Sequence, residues 1–193
     1  MSKLRIVFLA ASLSSSAYAA VPIEACDSPA FQEVLNASSE TLDARAVWLD
    51  KRLVRWPGAA QDGVYRLYHS PTGAIVAKPG SKVMGAAGAV NLNLASTAVP
   101  ADVATRFKYV AAGPTLAVAD ADLARLPLLH RDQLVLVREG ADGTVIAATR
   151  IQAAGALDDL YAAADSIPDL GATPRAKQTT FKLWAPTARQ VAV

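Results

Sequence analysis

One cysteine in 193 residues, Cys26, has no internal partner. A fold made from this sequence is therefore held by its apolar core and not by disulfides, even in an oxidising compartment. Histidine is almost as scarce, with only His69 and His130. Cys/His zinc spacings, calcium-loop patterns and phosphate loops are all absent, so neither a metal nor a cofactor is expected. No apolar run approaches the roughly 20 residues that cross a bilayer as a helix. No Lys/Arg cluster offers the phosphate-neutralising surface that nucleic acid requires. Aromatic residues make up 6% of the chain, and its 52% apolar fraction is rich in alanine. The core is thus assembled from fewer large side chains than the percentage suggests.

The first apolar run has a meaning other than packing. Lys3 and Arg5 precede the apolar stretch Ile6 to Leu13, and Ser14 to Ser16 lead into Ala17-Tyr18-Ala19 and then Ala20. A positive segment, a short apolar segment and an A-x-A triplet, in that order, mark an export signal. Residues 1–19 are expected to be a signal peptide cut between Ala19 and Ala20, which places the mature protein in the periplasm or outside the cell. Ile23-Glu24-Ala25-Cys26 faintly resembles the lipobox of bacterial lipoproteins, although Glu24 fits poorly and Cys26 stands well past the apolar run. Lipid attachment at Cys26 is the alternative to cleavage after Ala19. Losing Lys3 and Arg5 takes nineteen basic residues to seventeen, against seventeen acidic ones, so the mature chain is formally neutral.

What remains suffices for one sizeable core and the start of another. Residues 20–40 read as a partly helical or irregular segment. Short strands between turns follow, as in a mostly β antiparallel sandwich with one or two short helices. Ala44 to Leu49 carries apolar groups on both faces. Val64 to His69 runs into Ser70-Pro71-Thr72-Gly73, and Ala74 to Lys78 reads as the return strand of a hairpin. Val90-Asn91-Leu92-Asn93-Leu94 alternates, with the apolar side chains on one face. Leu134 to Arg138 and Thr144 to Ile151 flank an Asp142-Gly143 turn. Asp120 to Arg125 suits a helical turn, and the spacing of Leu157, Leu160, Tyr161 and Ala164 predicts an amphipathic helix over 156–165. The domain is thus expected over 41–165, a Pro/Gly-containing linker over 166–178, and a second, incomplete β-sandwich from 179 to 193. Within the latter, Thr180 to Trp184 and Gln190 to Val193 read as strands, the second cut off before its partners.

No set of residues announces catalysis. Neither histidine lies near a G-x-S-x-G elbow, and Cys26 has no motif around it. Asp120, Asp122, Asp158, Asp159, Asp165 and Asp169 read as helix-start charges and solvated faces, not as an acid and nucleophile pair. No catalytic residue is assigned. Among Trp48, Trp56 and Trp184, the first and last fall in strand patterns that point to the core, and Trp56 precedes Pro57-Gly58 where a ring can be exposed. Trp56 is the candidate carbohydrate contact, with packing the favoured reading even there.

Three stretches carry a resemblance: Ala44-Arg45-Ala46-Val47-Trp48-Leu49-Asp50, Tyr65-Arg66-Leu67-Tyr68-His69-Ser70-Pro71-Thr72-Gly73 and Phe181-Lys182-Leu183-Trp184-Ala185-Pro186-Thr187-Ala188. Together they resemble the N-terminal region of bacterial pullulanase-type alpha-1,6-glucosidases. The last resembles the opening of the isoamylase-type, family 48 carbohydrate-binding module that stands before the catalytic barrel. The resemblance implies a non-catalytic accessory region whose parent cleaves alpha-1,6 branch points in pullulan, starch or glycogen limit dextrins with a carboxylate pair. The implied partners are the C-terminal catalytic barrel of the same parent chain and, through it, an alpha-glucan. The rival reading is a stand-alone exported β-sandwich that binds or supports without catalysis, because sandwiches host many functions.

Overall fold

The structure, a computed structural model, describes residues 42–191. Ala19, Ala20 and Cys26, and with them the expected signal and lipid sites, lie outside the described residues.

Seven strands form the body: β1 (Ala46–Trp48), β2 (Leu53–Arg55), β3 (Val64–Ser70), β4 (Gly88–Leu94), β5 (Thr115–Val118), β6 (Gln133–Glu139) and β7 (Val145–Gln152). The expected sandwich is corrected here. The strands close into one barrel in the order β1-β2-β5-β4-β3-β6-β7 instead of two stacked sheets. Every pairing is antiparallel except the one that shuts the ring, where β1 runs parallel to β7 with Ala46 opposite Ile151 and Val47 opposite Gln152. Closure removes the two open edges that a sheet would otherwise present. Alternation puts Trp48, Val54, Tyr65, Leu67, Val90, Leu92, Leu116 and Leu136 into a common interior.

The closing seam is short and is reinforced by a side chain. The buried Thr149 hydroxyl donates to Asp43, reaching its carboxylate at 2.8 Å, and accepts from the Arg45 N–H at 2.9 Å. The Arg150 N–H adds a bond to the Asp43 carbonyl at 2.7 Å. Thr149→Val keeps the shape and removes the hydroxyl. It is expected to lower stability by about 1 to 3 kcal/mol, because the groups it served are left unpaired. Urea unfolding followed by circular dichroism measures this, and an unchanged midpoint would show that the hydroxyl contributes nothing to the seam.

Both outer faces of the barrel are covered. Ile75, Ala77, Val83 and Ala86 lie over Val135, Val137 and Val145. The segment that supplies them was expected to return as a hairpin strand on β3, but it does not pair there. It crosses the outer face with one isolated bridge, Val76 to Met84, while β3 pairs with β4 and β6. On the other side a helix that the sequence pattern did not suggest, α1 (Ala101–Arg106), brings Val103 onto Val47, Leu49 and Leu53. The expected β6/β7 hairpin is present. Its turn is held by Asp142, whose carboxylate accepts from the Thr144 N–H at 3.0 Å and the Thr144 hydroxyl at 2.6 Å, and Gly143 sits at φ 76° as the turn requires.

Two short helices, α2 (Asp120–Leu123) and α3 (Leu126–Leu129), lie between β5 and β6, with Leu126 and Leu129 in the core. The amphipathic helix begins two residues before its expected start as α4 (Ala154–Leu160) and tightens into a 3-10 turn over Ala162–Ser166. Beyond it, β8 (Gly171–Arg175) pairs antiparallel with β9 (Gln178–Lys182). A strand therefore lies inside the stretch read as a linker. Leu183 and Trp184 fall just past the end of β9, and Gln190 and Val191 are not in a strand.

Candidate functional site

Trp56 is not at the surface. Its N–H donates to the Pro114 carbonyl at 3.1 Å, which fixes the chain direction after β2 and turns the indole inward. The ring is 1% exposed and meets Tyr65 edge-on, with centroids 6.0 Å apart. The candidate carbohydrate contact at Trp56 is thereby corrected in favour of packing, since neither ring face is open to a sugar. Trp48 is fully buried, as its strand pattern suggested. Trp184 is the tryptophan that reaches solvent. It is 46% exposed and, with Tyr161, Ile167, Leu183 and Pro186, lines a shallow apolar depression of about 410 Å³ between α4 and the segment after β9. The core position expected for it is not seen. In this chain Trp184→Ala is expected to move stability by no more than about 0.5 kcal/mol. A loss several times larger in thermal unfolding would place the indole in the folded core.

A second depression, about 400 Å³, is polar. Its floor is the end of β3, where His69 pairs with Leu134 of β6 and Gly88 of β4. His69 Nδ1 is 2.9 Å from Asp132 Oδ2, a contact between residues 63 positions apart. The other ring nitrogen faces the Gly88 backbone, where an added Cβ would stand only 2.8 Å from it. Around this pair stand Arg125, Leu128, Leu129, Arg131 and Arg189. A hydrolytic triad needs a nucleophile on the imidazole. The neighbouring Ser70 hydroxyl is instead within 3.2 Å of Thr72 Oγ1 and accepts from the Ala74 N–H at 3.4 Å. The pair can orient the ring and accept or donate hydrogen bonds, but among the described residues no hydroxyl or thiol is held against it as a nucleophile.

His130 lies elsewhere, in the core beside Trp48, with ring centroids 5.2 Å apart and Nε2 without a partner. Burial pulls its pKa down to about 4, so it is a neutral core residue near pH 7. Glu139 is completely buried at the irregular end of β6 and accepts from the Tyr68 hydroxyl and the Arg66 guanidinium. Burial and the carboxylate together hold the Tyr68 hydroxyl above its ordinary pKa. No sequence motif joins these three residues. Their one sequence signal is an acid standing where Val135 and Val137 set an apolar face.

Of the other carboxylates singled out in the sequence, Asp158 and Asp165 are exposed and four serve surface ion pairs. Asp122 pairs with Arg125, Asp159 with Lys51, Asp169 with Lys182 and Asp120 with Arg52. Such pairs are worth little each and bring no acid opposite a nucleophile. Among the described residues no group of three or more His, Cys, Asp or Glu side chains converges as metal ligands would, and no helix is long and apolar enough to cross a membrane.

Comparison with known proteins places these features. The family described as the Pullulanase N2 domain matches residues 43–159, which contain all seven barrel strands. A pullulanase of Klebsiella pneumoniae is 34% identical over 150 residues, 78% of this chain and 13% of the relative. The chloroplastic pullulanase 1 of Arabidopsis thaliana is 29% identical over 171 residues, 86% of this chain and 17% of the relative. The chain thus spans only a small part of the curated relatives it matches. Among solved structures, the Klebsiella pneumoniae pullulanase complexed with maltotriose superposes with TM-score 0.65 at 33% identity, covering 78% of this chain and 14% of that one. PulA from Klebsiella oxytoca gives 0.62 at 33%, with the same two coverages.

Proposed function

Because the chain belongs to the Pullulanase N2 domain family, we propose that it is the non-catalytic N-terminal accessory region of an exported pullulanase-type glycoside hydrolase. The parent enzyme cleaves alpha-1,6 branch points in pullulan, starch or glycogen limit dextrins, and this region supports its catalytic barrel and substrate cleft. One observation carries the reading: the family match, residues 43–159, coincides with the whole barrel. The segment from Phe181 to Ala188 is read as the opening of the isoamylase-type module, with the boundary between the two domains over 166–178. Residues 1–19 are read as the export signal, with Cys26 as the alternative site of lipid attachment.

An antibody raised against the purified segment tests the reading. Blotting the exported proteins beside a pullulan activity gel is expected to show one band several times larger than the segment, migrating with the activity. A band of the segment's own size that never coincides with activity would favour the stand-alone module instead. Mass spectrometry of the same material is expected to begin at Ala20, and a diacylglyceryl group on an N-terminal Cys26 would overturn cleavage after Ala19.

A further inference from the structure

The polar cleft holds more positive charge than its own residues neutralise. Arg125 is tied to Asp122 at 2.8 Å, and Asp132 is engaged by His69. Arg131 and Arg189 also line the cleft, and among the described residues neither has a carboxylate partner. They come together from 58 positions apart, with an Arg131 guanidinium N–H donating to the Arg189 carbonyl at a long 3.5 Å. Two arginines lining one cleft leave it with positive charge that an anion can offset.

We propose that this cleft is an oxyanion site that takes a phosphomonoester, borne either by a free sugar phosphate or by a glucan chain. The guanidinium fork presents parallel N–H donors that match two phosphate oxygens, which a point charge does not. Leu128, 66% exposed at the rim, offers an apolar shoulder to sugar carbons. The depression of about 400 Å³ is of the size that small-molecule sites have. A neutral sugar fits less well, because among the described residues no Phe, Tyr or Trp lines the cleft for stacking. The polymer-borne case rests on the glucan reading above, whereas the anion chemistry does not.

Calorimetric titration of the purified chain tests the site with inorganic phosphate, a hexose phosphate, the unphosphorylated hexose, and phosphorylated and dephosphorylated glucan chains. Saturable binding by phosphate and the hexose phosphate is expected, with none by the plain hexose. Changing Arg131→Gln and Arg189→Gln together is expected to weaken binding about tenfold or more. Both residues are exposed, so the unfolding midpoint should not move. Preference for the hexose phosphate assigns the site to a free metabolite, and preference for the phosphorylated over the dephosphorylated glucan assigns it to the polymer; either upholds the proposal. No saturation by any phosphorylated probe, equal affinity for the plain hexose, or unchanged affinity in the double variant would overturn it. None of these outcomes bears on whether the chain co-migrates with pullulan activity.

Discussion

Gly155→Ala is expected to destabilise the domain by about 2 to 4 kcal/mol. Helix propensity alone predicts the opposite sign, since alanine inside a helix is better than glycine by up to about 1 kcal/mol. The decisive fact is where α4 lies. A Cβ on Gly155 would stand 2.4 Å from the Leu49 carbonyl oxygen and 2.5 Å from that of Trp48. Both are backbone atoms at the end of β1, the strand that shuts the barrel, and no side-chain rotation relieves the overlap. Either α4 lifts away or β1 shifts, and Ala156, also fully buried beside it, loses its packing in both cases. Chemical denaturation of the two proteins side by side decides the matter. A variant as stable as the parent sequence would mean that α4 does not rest on β1 as described.

The second large effect is a loss of stability in mild acid, centred on His130. Its pKa is about 4 when folded, against 6.5 as the ordinary value. Between these limits the unfolded chain binds a proton that the folded chain refuses. Stability is therefore full above pH 6.5 and falls as the pH drops towards 4, by at most roughly 3 kcal/mol. Below 4 this group has no further effect. Other groups act in a separate, more acidic window. The Thr144 hydroxyl holds the Asp142 carboxylate below its ordinary value, and the Lys182 ammonium does the same for Asp169. Their contribution is present above the usual carboxylate range and is lost as they protonate below it. His130→Leu removes the titrating group and an unpartnered buried nitrogen together. The unfolding midpoint of this variant should stay nearly level from pH 6.5 to 4.5 while that of the parent sequence falls. Parallel curves for both proteins would exclude His130 as the cause.

Local chemistry was readable wherever neighbours in sequence are also neighbours in space. The Asp142-Gly143 turn, the alternation of Val90 and Leu92 on β4 and the two-faced burial of β1 all follow from periods and turn residues within a few positions. Even there the alternation overreaches, since Leu94 at the strand end is 48% exposed. Barrel closure is different in kind. It depends on β1 meeting β7 in parallel across about 100 positions, and two antiparallel sheets would have used the same alternating strands. Trp56 stood as a candidate contact because Pro57-Gly58 does mark a strand end, yet its own N–H is held by the Pro114 carbonyl, far away in sequence. Helix α1 escaped notice because Pro100 precedes it and no side chain caps it. The polar cleft was invisible for the same reason as the closure: His69, Asp132 and Arg189 carry no shared motif and meet only through the fold.

Under the proposed function, this domain supports an enzyme without being one. The most direct test is reducing-sugar release from pullulan by the purified segment, 20–193, beside the exported protein that the segment's antibody recognises. Release by the larger protein is expected, and none by the segment above a boiled control. Release by the segment itself, abolished by changing a single Asp or Glu within it, would show that the segment is a hydrolase in its own right.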